Sequence, residues 1–169
     1  TIVWGDGSAS TIIELPAGTM SFLATHTITD DNASDAYSIQ VFVVDEIHNG
    51  ASASVALAVT NVSPTAVISA LATINEGGTT IVSLSSAADV STVDLTSLRY
   101  SFALTSNELA TDYANASSTS ESTFAFVDDG SYTIYARVID KDGGWSDYQT
   151  VITVNNVAPT ATISGPKTI

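Results

Sequence analysis

Apolar and polar side chains alternate along much of this chain. The runs Val41 to Val44, Thr80 to Leu84, Thr133 to Ile139 and Tyr148 to Val154 are rich in β-branched and aromatic residues. Several carry the period of two expected of half-buried strands. Between the runs lie acidic and glycine-rich turn clusters: Gly5-Asp6-Gly7, Asp30-Asp31-Asn32, Glu76-Gly77-Gly78, Asp128-Asp129-Gly130 and Asp142-Gly143-Gly144. Short strands punctuated in this way predict an all-β fold, a sandwich of antiparallel sheets. Helix is expected nowhere beyond a turn near Ser106 to Ala110. The run Phe22 to Ile28 also alternates, which places His26 on a strand with its ring satisfied by a neighbour.

A second periodicity is far longer. Val59-Thr60-Asn61-Val62-Ser63-Pro64-Thr65-Ala66-Val67-Ile68-Ser69 returns 95 residues later as Val154-Asn155-Asn156-Val157-Ala158-Pro159-Thr160-Ala161-Thr162-Ile163-Ser164, with 8 of 11 positions identical. The same offset pairs Tyr37 with Tyr132, Ile39 with Ile134, Val43 with Val138, Asp45 with Asp140, and Thr73-Ile74 with Thr168-Ile169. Self-similarity at a fixed period is the signature of a repeat array. Residues 63–157 read as one complete unit, 1–62 as the back part of a preceding one whose opening strands are missing, and 158–169 as the start of a third. The chain is thus expected to be an excerpt of a tandem array. Pro64 and Pro159 fall at the two junctions and stiffen them by fixing φ.

Asp128-Asp129-Gly130-Ser131-Tyr132 has the Asp-x-Gly-x-Tyr spacing of a tyrosine corner in immunoglobulin-like sandwiches, with Asp128, Gly130 and Tyr132 in the structural roles. The first unit reaches Tyr37 through a longer loop, Asp30 to Ala36. Trp4-Gly5-Asp6-Gly7 looks like the tail of the Trp-x-Phe-Gly-Asp-Gly signature of PKD domains. The pair of late segments around Tyr132 to Asp140 and Trp145 to Val154, closed by Val157-Ala158-Pro159-Thr160-Ala161, resembles the rest of that pattern. The chain is therefore similar to tandem PKD-like, Ig-like β-sandwiches of large bacterial surface proteins. The resemblance implies an extracellular or cell-surface setting with neighbouring repeats as partners. One departure is that the complete unit has Tyr100-Ser101-Phe102-Ala103-Leu104-Thr105 where the first has Ile2-Val3-Trp4-Gly5-Asp6-Gly7.

Charge narrows the functional classes. The 169 residues carry 18 acids against 4 bases, a net charge of -14. Nucleic acid is excluded as a partner on this balance, because phosphate binding needs Lys and Arg. No stretch approaches the roughly 20 apolar residues of a membrane helix, so no direct membrane insertion is expected. With no cysteine there is no disulfide framework and no thiolate metal site, which leaves the compartment open. Neither Gly-x-Ser-x-Gly, His-Glu-x-x-His nor a phosphate-cradling glycine loop is present, so no enzyme is expected.

The carboxylates suit calcium, which takes six to eight oxygen ligands from flexible loops. Asp140 and Asp142, one residue apart before a tight turn, point the same way on a strand end and are placed to share an ion, with Asp147 soon after. Glu76 and the loop Asp89 to Asp94 are candidate partners, and in related repeats acids at such loops serve calcium. The first unit has Asp45-Glu46-Ile47-His48-Asn49-Gly50 and lacks the second Asp, so its site is expected to be weaker or absent. The plain alternative is a set of solvated turn aspartates. Trp4, Phe42, Phe102, Tyr132 and Trp145 are expected to fill sheet interiors, with a sugar-stacking role for Trp145 as the sharper alternative. Three functions follow. The first is a calcium-rigidified extracellular spacer or adhesive stalk. The second is an accessory module of a secreted hydrolase that binds polysaccharide or protein. The third is a filament subunit assembled by strand complementation.

Overall fold

The computed structural model describes residues 1–32 and 34–165. Strands hold 43% of the chain and helix 6%, an all-β fold built of antiparallel sheets. In the first 62 residues, β1 (Ile2–Val3), β2 (Ala36–Val44) and β3 (Gly50–Ala58) form one antiparallel sheet in that order. The following residues build two sheets. One contains β4 (Thr65–Ser69), β6 (Thr79–Ala88) and β8 (Glu121–Ala125). The other runs β5 (Thr73–Asn75), β10 (Trp145–Asn155), β9 (Gly130–Ile139), β7 (Arg99–Ala103). One pair breaks the antiparallel rule: β5 lies parallel to β10 along Thr73 to Asn75.

Alternation dictates the packing. Val82 and Leu84 point inward from β6, and Ile134, Ala136 and Val138 from β9, each at most 2% exposed. Ile152 and Val154 of β10 and Phe126 complete the interior. Each such aliphatic side chain contributes roughly 1.5–3 kcal/mol on burial. A register shift between Thr65 and Val67 in the β4–β6 pair leaves the Ala66 N–H without a ladder partner. That N–H donates across the sandwich to Tyr148 Oη at 2.8 Å. Turn glycines and short loops close the ends, and no helix among the described residues is long and apolar enough to cross a membrane.

The 95-residue offset survives in the hydrogen-bond register. Ala36 faces Ala58 and Val44 faces Gly50 in the first sheet; Ser131 faces Thr153 and Ile139 faces Trp145 in the second. The opening strand aligns differently from the sequence expectation. Ile2 lies opposite Val41, and Phe102 opposite Ala136, the residue 95 positions on from Val41. Phe102 rather than Tyr100 is therefore the counterpart of Ile2. The two sheets differ in what covers them. Val138 and Ile152 are fully buried, whereas Val43 and Leu57, their counterparts from the same face, are 51% and 40% exposed.

Several expectations change. Phe22 to Ile28 forms no strand, because alternation marks a face but supplies no ladder partner. Phe42 and Trp145 are 41% and 48% exposed rather than interior, while Trp4 is buried. Short helical turns appear at α1 (Thr92–Leu95), at Ser106–Glu108 and at Tyr113–Asn115, only the second of them foreseen. Residues 158–165 carry no strand, and Thr168 and Ile169 lie outside the described residues. Pro64 is buried at the first junction and Pro159 is exposed.

Candidate metal centre at the junction of the two units

Both tyrosine corners are formed. Tyr132 Oη donates to the Asp128 carbonyl at 3.2 Å, and Tyr37 Oη donates to the Asp30 carbonyl at 3.0 Å. The second bond matters beyond stability, since it fixes the backbone that carries Asp30 and Asp31 at the end of the first unit. Burial, followed by the Asp30 charge, pushes the Tyr37 phenol above its ordinary value.

On the facing side, the loop after β6 folds into α1. Ser91 caps this single turn by accepting from the Asp94 N–H at 3.1 Å, and its hydroxyl donates to Asp30 Oδ1 at 2.9 Å. The cap thus ties the two units and aims Asp94 inward. The turn after β9 brings in Lys141 and Asp142. One carboxylate oxygen from each of Asp30, Asp31, Asp94 and Asp142 lies within 4.8 Å of the others. That spread suits a shared cation, because two oxygens on opposite sides of calcium at about 2.4 Å are about 4.8 Å apart.

Lys141 sits among these carboxylates. Its Nζ is 2.9 Å from Asp30 Oδ2 and 3.1 Å from Asp94 Oδ1, and it donates to Asp142. One ammonium faces four carboxylates. Asp94 is 0% exposed; Lys141 Nζ, 3.1 Å away, faces its Oδ1, and its Oδ2 has no partner among the described residues. A buried ionised group in that condition is expensive. Burial accordingly pushes the Asp94 carboxyl up to about 6, against the pull of Lys141. Asp31 is raised by burial and then by the Asp142 charge. Burial opposes ionisation of Asp30 too, but hydrogen bonds from Lys141 and Ser91 outweigh it and hold that carboxyl low. Lys141 is held above its usual value because its contacts with Asp142, Asp30 and Asp94 outweigh burial.

The residues expected to bind metal divide into groups. Asp94 and Asp142 enter the cluster. Asp140 does not: its Oδ1 accepts from the Asp142 and Gly144 N–H groups at 3.0 and 2.8 Å, and Oδ2 accepts from Asn61 Nδ2 at 3.0 Å. Asp45, its counterpart, likewise accepts from the Ile47 and Asn49 N–H groups. Asp140 is thus a turn carboxylate that also links the units. Gly144 is required beside it, since a Cβ there would lie 2.5 Å from Asp140 Oδ2 and 2.7 Å from Asn61 Nδ2. Asp89 accepts from the Ser91 N–H at 2.8 Å and stays outside the cluster, although its Oδ2 is also buried without a partner among the described residues. Asp147 pairs with Arg137 at 2.6 Å, and Glu76 belongs to a separate group with Asp128 and Asp129. Asp30 and Asp31 were not foreseen as ligands. The signal for them was the paired acid just before the first tyrosine corner.

Two other sites invite chemical readings. The Arg137 guanidinium lies over the Trp145 ring at 4.9 Å, which leaves the indole partly covered. His26 stacks on Trp4 at 4.6 Å, and its Nε2 meets both Asp6 Oδ2 at 2.7 Å and Ser8 Oγ at 3.2 Å. Because both contacts use one ring nitrogen, this trio has no proton relay from acid through imidazole to hydroxyl. It is a structural knot, in which the Ser8 hydroxyl and then His26 hold the Asp6 carboxyl well below its usual value. No protein-family model matches the chain, and no curated protein matches it.

Proposed function

We propose that this chain is a non-catalytic structural module, a stretch of tandem PKD-like, Ig-type sandwiches that serves as an extracellular or cell-surface spacer or stalk. Calcium stiffens it where successive units meet. The observation that carries this reading is the acidic cluster at the junction, shared by Asp30 and Asp31 of one unit and Asp94 and Asp142 of the next. Asp94 is buried there with its Oδ2 in need of a partner. Four hard oxygen ligands from three loops match calcium better than a thiophilic metal. Support also comes from recurrence. Asp128 plays at the second tyrosine corner the part Asp30 plays at the first, and it groups with Asp129 and Glu76. Glu76 Oε1 in turn accepts from the Val157 N–H at 2.7 Å, at the start of the next junction.

The test is melting of the chain in chelator and in calcium, together with small-angle scattering. The expected results are a raised midpoint in calcium and an elongated particle. An unchanged midpoint would remove calcium from the reading, and a compact scattering profile would remove the spacer. A second reading, an accessory glycan-binding module, draws on the half-exposed Trp145. Pull-down on insoluble glycans, with Trp145→Ala as the control, separates it from the first. Strand complementation has less support. The tail 158–164 repeats the sequence of β4, but β4 pairs with β6, and the first sheet has no counterpart of β6 among the described residues.

A further inference from the structure

We infer that Lys141 is a tethered counter-cation, a resident substitute for the divalent ion that calcium must expel in order to bind at the junction. The inference rests on the calcium reading above and goes on to say how that site is regulated. The argument is geometric. The ammonium lies 2.9 Å from Asp30 Oδ2 and 3.1 Å from Asp94 Oδ1, and it donates to Asp142. It therefore occupies the centre of three of the four clustered carboxylates. Calcium bound by the same oxygens sits about 2.3–2.6 Å from each, in the space between them that the ammonium fills. The two cations cannot be present together.

Charge sets the direction of the exchange. Lysine leaves the four carboxylates three charges in excess; a divalent ion leaves two, and its coordination reaches Asp94 Oδ2, which has no partner among the described residues. Lys141 is 28% exposed, so its long stem has an open side toward which the ammonium can swing into water. The junction is consequently closed in both states, bridged by an ammonium at low calcium and by the metal at high calcium. Because the lysine is covalently attached, its competition does not dilute away. The calcium threshold is set upward, toward the weak range of extracellular modules.

The test compares the chain with its Lys141→Met variant, which keeps the apolar stem and deletes the charge. Calcium titration by calorimetry at fixed ionic strength should show roughly tenfold or greater tightening in the variant. In chelator the variant should melt below the parent chain, having lost its internal cation. Calcium binding by Lys141→Met alone also supports the inference, as a lysine that fully blocks the site. Equal calcium affinity in both chains overturns the inference and leaves the calcium reading standing. No binding by either chain overturns both. Should the variant fail to fold, side-chain ammonium NMR of the parent chain decides instead. A slowly exchanging Lys141 signal in chelator that collapses to a free-lysine signal in calcium supports expulsion, and an unmoved signal refutes it.

Discussion

Asp94→Asn is the substitution whose magnitude depends on the ion. In the ion-free chain the Asp94 carboxylate is wholly buried, and burial raises its pKa from the usual 3.8 to about 6. A carboxyl whose folded pKa lies above its unfolded one weakens the fold when it ionises. Its stability contribution is fully present below the unfolded value and is lost as pH rises to the folded one. The loss at pH 7.5 is about 3 kcal/mol, at 1.36 kcal/mol per unit, and falls to about 1 kcal/mol at pH 4.5. Asn removes this cost while keeping the shape, and the pull of Lys141 is already contained in it. The variant should therefore be more stable than the parent by about 3 kcal/mol in chelator at neutral pH, and by about 1 kcal/mol near pH 4.5. For a chain of this size each kcal/mol moves the midpoint by roughly 2–4 °C, so the shift is readable by circular dichroism. In millimolar calcium the gap should narrow by up to about 1.4 kcal/mol, because at a dissociation constant of roughly 10⁻⁴–10⁻³ M the parent gains a ligand that the variant cannot match. A variant less stable than the parent in chelator at both pH values refutes the reasoning: Asp94 would then be a satisfied ion-pair partner rather than a strained one.

Two further outcomes follow from positions related by the repeat offset and from the Trp4 stack. Ile134→Ala, at a position with no solvent exposure, should cost about 2–5 kcal/mol in urea unfolding, whereas Ile39→Ala, its half-buried counterpart, should cost under about 1 kcal/mol; equal costs would mean that the face around Ile39 is covered in solution. Asp6 is held low by Ser8 and His26, so its contribution is present above the ordinary carboxylate range and lost as pH falls below about 4. Trp4 fluorescence in a Trp145→Phe background should report that loss, and Asp6→Asn should abolish the transition; an unchanged acid transition in the variant would place its cause elsewhere.

Strand positions were legible because an inward-facing β-branched residue at every second place can satisfy only a sheet, as Ile134, Ala136 and Val138 do. The run around His26 has the same alternation without the consequence, since a ladder also needs a neighbour and none is within its sequence pattern. The tyrosine corners were legible in their spacing, but the part played by Asp30 in holding the junction was not. The expected ligands separate in an instructive way. Asp140 and Asp142 look equivalent in sequence, yet the first is consumed by its own turn, as Asp45 is 95 residues earlier, and by Asn61. Only the second joins the carboxylate cluster. Asp30, Asp31 and Lys141 join the site through tertiary contact between segments more than 45 residues apart, which no local pattern encodes.

The junction bears more on the first unit than on the second. The complete unit closes its own core: the inward faces of β9 and β10 meet β6 and bury Ile134, Ile152 and Val82 without exposure. The first unit presents the same register with Val43 and Leu57 half in water, so its sheet draws far less on apolar burial. What orders it is largely polar and local: the Tyr37 corner, the Trp4–His26–Asp6 knot and the bonds that reach the next unit from Asp30 and Asn61. Charge at the junction therefore acts where hydrophobic stabilisation is weakest. Lys141 supplies part of that charge by pairing with Asp30 and Asp94 across it. On the proposed reading a cation has most leverage here, at the seam between a self-sufficient sandwich and a sheet that is not.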